Sequence, residues 1–146
     1  MGSRTAFWVQ LPGPAPFPMK PEAQRIAIAE VCIGFNLEAE KQKWQTEDIG
    51  FLLHHDVPDY LNDLNAMHEA ELIIECNFER SKYIRALKLV VLAAPANQEM
   101  INRFDGAAAR DSMELIALFY ATAAQRAEAF LRTLGKWQEQ PQEQTA

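Results

Sequence analysis

Thr122-Ala123-Ala124-Gln125 constrains this chain more than any other stretch. A threonine hydroxyl at a helix N-cap accepts the amide three residues on, and a glutamine there reaches back to the cap's own amide. Ala124, Ala127, Leu131 and Leu134 then fall on one face, joined by Phe130, while Glu128 and Arg132 form an outward pair four apart. Gly135 stands where a helix stops. The spacing therefore predicts a final helix from Thr122 to Leu134, with Trp137 folded back over its end. A helix with so wide an apolar stripe must bury it against elements supplied upstream.

Three such elements read as helices. The first runs from about Pro21 to Ile33, because proline suits the first helical position, Glu22 favours the positive N-terminus and Gly34 fits the stop. Its stripe is Ile26, Ala29 and Ile33, widened by Ile28, Val31, Cys32 and Phe35. The second begins at Asn62 or Asp63, both good caps, and runs through Leu64, Met67, His68, Glu71 and Leu72 to Cys76 or Asn77. The third spans about Glu79 to Ala94, with Tyr83, Leu87, Val90 and Val91 on one face and Pro95 ending it. Two apolar runs read as strands, Ile49–Leu53 and, as the best candidate, Met113–Tyr120. Residues 36–48 read as a loop or short helical piece anchored by Trp44, and 95–112 as a loop-rich insert. The expected fold class is α/β (α+β), helix-rich with a small sheet.

The chain of 146 residues accommodates one core. Residues 1–19 read as a Pro-rich extension, since Pro12, Pro14, Pro16 and Pro18 alternate and favour extended backbone. Phe7, Trp8, Val9 and Leu11 give that extension enough apolar surface to dock, and Met19 reads as a natural start. Residues 20–137 form the single domain, and 138–146 a polar, glutamine-rich tail that frays.

A net charge of −6 without a lysine/arginine cluster argues against a phosphate-gripping nucleic-acid binder. No stretch approaches the roughly 20 apolar residues of a membrane span, and the N-terminus lacks the pattern of a signal peptide. Cys32 and Cys76, 44 residues apart, form neither a disulfide framework nor a zinc knuckle. They read as buried thiols in a reducing cytoplasm.

Most of the chemistry is concentrated in Pro58–Glu71. Asp59, Tyr60, Asp63, Asn65 and His68 are its candidate binding residues. Capping takes Asn62 or Asp63, and packing takes Leu64 and Met67. Donors and acceptors then remain at the helix mouth, in numbers suited to a nucleotide base or ribose. A divalent ion would take Asp59 and Asp63, and a transition metal His68 with a carboxylate, with His54 and His55 as further ligands if the loop folds back. No metalloprotease helix pattern supports that version. Ser3, Ser81 and Ser112 lie in no nucleophile elbow, and no glycine-rich loop cradles phosphate.

Two blocks carry a family resemblance. Pro58-Asp59-Tyr60-Leu61-Asn62-Asp63-Leu64-Asn65-Ala66-Met67-His68-Glu69-Ala70-Glu71 resembles the central signature of the phage ABA-sandwich domain family, small tailed-phage and prophage proteins. Ala121-Thr122-Ala123-Ala124-Gln125-Arg126-Ala127-Glu128-Ala129-Phe130-Leu131-Arg132-Thr133-Leu134-Gly135-Lys136-Trp137 resembles its C-terminal helix. Glu22–Cys32 matches more loosely. Ile33-Gly34-Phe35 departs from a usual Gly-Trp, and 95–112 is longer than the family's middle. The resemblance implies a single-domain α/β/α layered sandwich and a phage context, and no particular activity.

The resulting expectation is a small phage accessory protein in the host cytoplasm, acting by binding rather than catalysis, without a cofactor. The partner classes in view are a second copy of the chain, a small nucleotide ligand or a host protein. The alternatives are sequestration of a nucleotide signal as an anti-defence activity, and a metal-dependent enzyme using Asp59, Asp63 and His68.

Overall fold

A computed structural model describes residues 18–103 and 106–139 of the chain. Every regular element among them is an α-helix: α1 Pro21–Cys32, α2 Leu37–Trp44, α3 Ile49–Asp56, α4 Leu64–Cys76, α5 Arg80–Ala93, α6 Pro95–Asn102, α7 Ala107–Phe119 and α8 Ala123–Thr133. No strand occurs among the described residues. The expected α/β/α sandwich, and the small sheet with it, is therefore replaced by an all-helical fold. The expected extension and tail lie outside the described residues except for Pro18, Met19, Gln138 and Glu139.

Local chemistry explains the correction. Ile49–Leu53 is helical because Asp48 caps it, its carboxylate accepting from the Phe51 amide at 3.2 Å. A capped N-terminus outweighs the weak strand signal of five apolar residues, which cannot by themselves distinguish a strand from a buried helix. Met113–Tyr120 is the second half of α7, which starts inside the supposed insert at Ala107-Ala108-Ala109. Alanine, leucine, methionine and glutamate favour helix, and Ile116 is the only β-branched residue in the run. The supposed insert also holds α6, with Pro95 at its first position. Residues 36–48 contain α2, capped by Asn36.

Helix α8 is the centre of the molecule and packs against α5, α1 and α4. Its capping box is present as read, with the Gln125 amide donating to Thr122 Oγ1 at 3.1 Å and the Thr122 amide to Gln125 Oε1 at 2.9 Å. Ala123, Ala127, Ala129, Phe130, Leu131 and Thr133 are all buried, so this helix is enclosed on more than one side. Its alanines let the neighbouring helices approach closely, and Phe130, Ile28, Met67, Ile74, Leu87 and Val91 fill the space between them. Thr133 is buried without a penalty because its hydroxyl donates to the Ala129 carbonyl at 2.7 Å.

The buried face of α1 is Gln24, Ile28 and Ala29, while Ile33 lies outside at the C-cap. The stripe is thus rotated from the one read in the sequence. Arg25 reaches across to α3 and donates to the carbonyls of Leu53 at 3.1 Å and Val57 at 2.8 Å. A guanidinium at a helix C-terminus satisfies orphan carbonyls and opposes the helix dipole. Helices α6 and α7 pack on each other and on α5, reaching the edge of the core through Ala117, Met100 and Leu118.

Candidate functional site

The signature segment proves to be mainly a helix entry. Asp63 is the N-cap of α4, accepting from the amides of Asn65 at 2.9 Å and Ala66 at 3.3 Å. Asp59 accepts from Asn62 Nδ2 at 3.1 Å and lies 4.0 Å from Arg25. Asn65 is exposed, and His68 Nδ1 contacts Glu71 Oε1 at 2.9 Å on the surface. Among the described residues, no group of three or more His, Cys, Asp or Glu side chains could hold a metal ion. Asp59, Asp63 and His68 therefore do not converge into such a group.

Tyr60 is core, only 3% exposed. Burial pushes its hydroxyl up to about 12, with the charges of Cys32 and Glu69 adding to the effect and Arg25 opposing it. The folded value lies above the unfolded one, so the tyrosine's contribution is complete below about pH 10 and is lost as the pH rises towards 12. Tyr60→Phe should therefore lose about 1–2 kcal/mol less than the parent between about pH 9 and pH 12, once solvent screening of the partly exposed hydroxyl is allowed for. Urea melts across that range would show it, and parallel curves for the two proteins would contradict it.

The thiols divide. Cys32 is half-buried, and desolvation raises it to about 11, whereas Cys76 is exposed at the end of α4. The expectation of two core cysteines thus fails for Cys76.

Two arrangements escaped sequence reasoning. One is a polar junction between α4, α5 and α8. Glu71 accepts from Tyr83 OH at 2.6 Å and from Arg126 Nη1 at 3.2 Å, and its other oxygen faces His68. Burial, then the hydrogen bond to Glu71, raise the Tyr83 hydroxyl strongly, so the phenol remains the donor. Arg126 also donates to the carbonyls of Ala121 and Leu118, closing the C-terminus of α7. Every member has a structural partner, which marks the junction as a clamp. Glu71 and Arg126 both lie in the two sequence blocks, but 55 residues separate them and no local pattern pairs them.

The other arrangement is an apolar groove of about 550 Å³ between the start of α1 and the outer face of α8. Met19, Pro21, Leu61, Ala124 and Trp137 supply its apolar walls. Leu61 belongs to the signature segment, and Trp137 closes the far end as its fold-back predicts. The Arg132 guanidinium lies over the Trp137 ring at 5.0 Å, holding it in place. Three of the polar side chains at the rim are already engaged. Gln24 Nε2 donates to the Met19 carbonyl at 2.7 Å, Gln125 serves the capping box, and Glu128 pairs with Arg132 at 2.8 Å. Trp137 Nε1 is buried and has no acceptor among the described residues.

A third cluster joins α2 to α3. His55 stacks on Trp44 at 5.7 Å and tilts against Phe51 at 4.5 Å, while Trp44 Nε1 donates to Asp56 at 3.2 Å. Trp44 thus anchors α2 to α3, as expected of it.

No family model matches this chain, and no curated protein or solved structure is similar to it. No helix among the described residues is long and apolar enough to cross a membrane.

Proposed function

We propose that this chain is a binding protein rather than an enzyme, and that its groove between α1 and α8 takes an extended apolar peptide segment. The groove carries the reading. Its volume falls within the range of roughly 300–1,000 Å³ of small-ligand sites, and its walls are apolar. Because Gln24, Gln125 and Glu128 have internal partners, the site asks little of a ligand in polar contacts. What it lacks is an acceptor for Trp137 Nε1, and an unpaired buried donor costs about 1–3 kcal/mol. A backbone carbonyl on an otherwise apolar strand of peptide would supply one once the indole, held under Arg132, turns its buried Nε1 towards the groove. Proline-rich peptides lie against aromatic side chains in this manner.

A nucleotide signal fits less well. Phosphates need several cationic donors, and Lys20 is the only cation among the residues lining the groove. The resemblance of Pro58–Glu71 and Ala121–Trp137 to phage proteins suggests a phage accessory role, which the genes beside this one would test. Self-association belongs to the same proposal, and a closed two-fold pair is the commonest form it takes among soluble oligomers.

The test uses Trp137 as reporter in a Trp8→Phe, Trp44→Phe background. Titration with an acetylated peptide of alternating proline and leucine should give a saturable change in indole emission. Trp137→Ala should weaken binding of the same peptide, read by calorimetry, at least about tenfold. ATP should leave the emission unchanged. No response to the peptide, or a saturable response to ATP, overturns the reading.

A further inference from the structure

We infer that α7 is the contact between two copies of this chain, packed antiparallel across a two-fold axis. The inference rests on the self-association reading above and adds the face, the symmetry and the residue pairs. Of α7, only Ala117 is fully buried. Leu115 is 67% and Phe119 78% exposed, with Ile116 and Tyr120 also exposed beside them. Four large apolar residues within six positions make a contiguous patch, whereas exposed hydrophobics in general are scattered singly.

The pattern on that face is self-complementary. Ala108, Ser112, Leu115 and Phe119 follow one another at spacings of four, three and four, the seam of two packed helices. Its first half is small and its second half bulky. An antiparallel partner related by a two-fold axis sets Ala108 against Phe119 and Ser112 against Leu115, each bulky side chain over a small one. Ser112 can be covered at little cost, because its hydroxyl already donates to the Ala108 carbonyl at 3.1 Å.

Charge points the same way. Lys88 on α5 pairs with Glu114 on α7 at 2.9 Å, and Arg126 ties the Leu118 carbonyl to Tyr83 through Glu71. Helices α5 and α7 therefore run antiparallel, with Arg85 level with the end of α7 and Asp111 about 8–12 Å away along it. Arg85 lies two residues beyond buried Tyr83, and Phe119 two beyond buried Ala117, so both point away from the core. Arg85 is exposed and makes no ion pair among the described residues. Each copy thus presents Arg85 at one end of this face and Asp111 at the other, where Lys88 and Arg110 stand near it. The same two-fold axis brings Arg85 of one copy against Asp111 of the other, which favours this register over a parallel one. Two helices of 13 residues form a contact at the small end of specific interfaces, so the dimer should form at micromolar concentration.

Light scattering after size exclusion, at concentrations from about 1 to 100 µM, provides the test. The parent chain should pass from monomer to dimer. Phe119→Lys should weaken the dimer about a hundredfold with unchanged circular dichroism, since the side chain is exposed. Arg85→Glu should weaken it about tenfold, and Arg85→Glu with Asp111→Arg should restore it. A parent chain that stays monomeric throughout overturns both self-association and the α7 contact. A parent dimer that survives Phe119→Lys, or whose charge swap fails to restore pairing, overturns the α7 contact alone. The peptide titration is unaffected by either outcome.

Discussion

Arg126→Met is expected to cost this protein about 3–5 kcal/mol, the penalty for leaving a largely buried carboxylate without its cation. The Glu71 side chain is 17% exposed and the Arg126 side chain 13%, so water can replace the lost guanidinium only in part. The variant also strands the Leu118 and Ala121 carbonyls at the end of α7. Chemical denaturation should show a lowered midpoint. Glu71→Leu combined with Arg126→Met should recover part of the loss, because both charges leave together while the Tyr83 hydroxyl and the two carbonyls stay without these partners. A double variant no more stable than Arg126→Met alone would show that the carbonyl contacts, not the charge pair, carry the cost.

Phe130→Ala should be at least as damaging. Phe130 is fully buried on α8 and is the largest side chain enclosed at the centre of the fold. Truncation removes its transfer energy and leaves a cavity between helices held apart by several other contacts, a loss of about 3–5 kcal/mol. The capping box at Thr122 lies two turns away and is untouched, so the helix itself should persist while packing loosens. Near-ultraviolet circular dichroism should weaken far more than the far-ultraviolet signal. Full retention of the denaturation midpoint would mean that the surrounding helices close over the gap.

These two residues also mark the boundary of what the residues announce. Phe130 was legible, since the capping box, the stripe and Gly135 are local signals that agree, and α8 forms where they put it. The starts of α1, α4 and α5 were legible for the same reason. Met113–Tyr120 resembles a strand because the run does not contain its own beginning: the alanines that nucleate α7 lie upstream, in a stretch whose asparagines and glycine signal a loop. That run is apolar without being buried, and an exposed apolar helix face carries no periodic contrast. Arg126 with Glu71 was illegible, because the partners meet only after α4 and α8 have packed. The groove was half legible. Trp137 was placed over the helix end, whereas Met19 and Leu61 become its neighbours only through the approach of α1. Asp59, Asp63 and His68 look like a site when written in a line, and the geometry of a helix entry turns them apart.

Helices α6 and α7 are joined to the rest mainly through one neighbour, α5, whereas α8 has three. Cooperativity follows contact, so this pair is a separable unit of opening. It can lift away while α1, α4, α5 and α8 remain closed, and its amides then exchange with solvent at a lower free energy than those of α8. Pairing with a second copy would raise that local free energy and, because the unfolded chain does not pair, the global one with it, so the amides of α7 and the slowest amides of the molecule would both slow with concentration, while those released by openings that leave α7 in place would not.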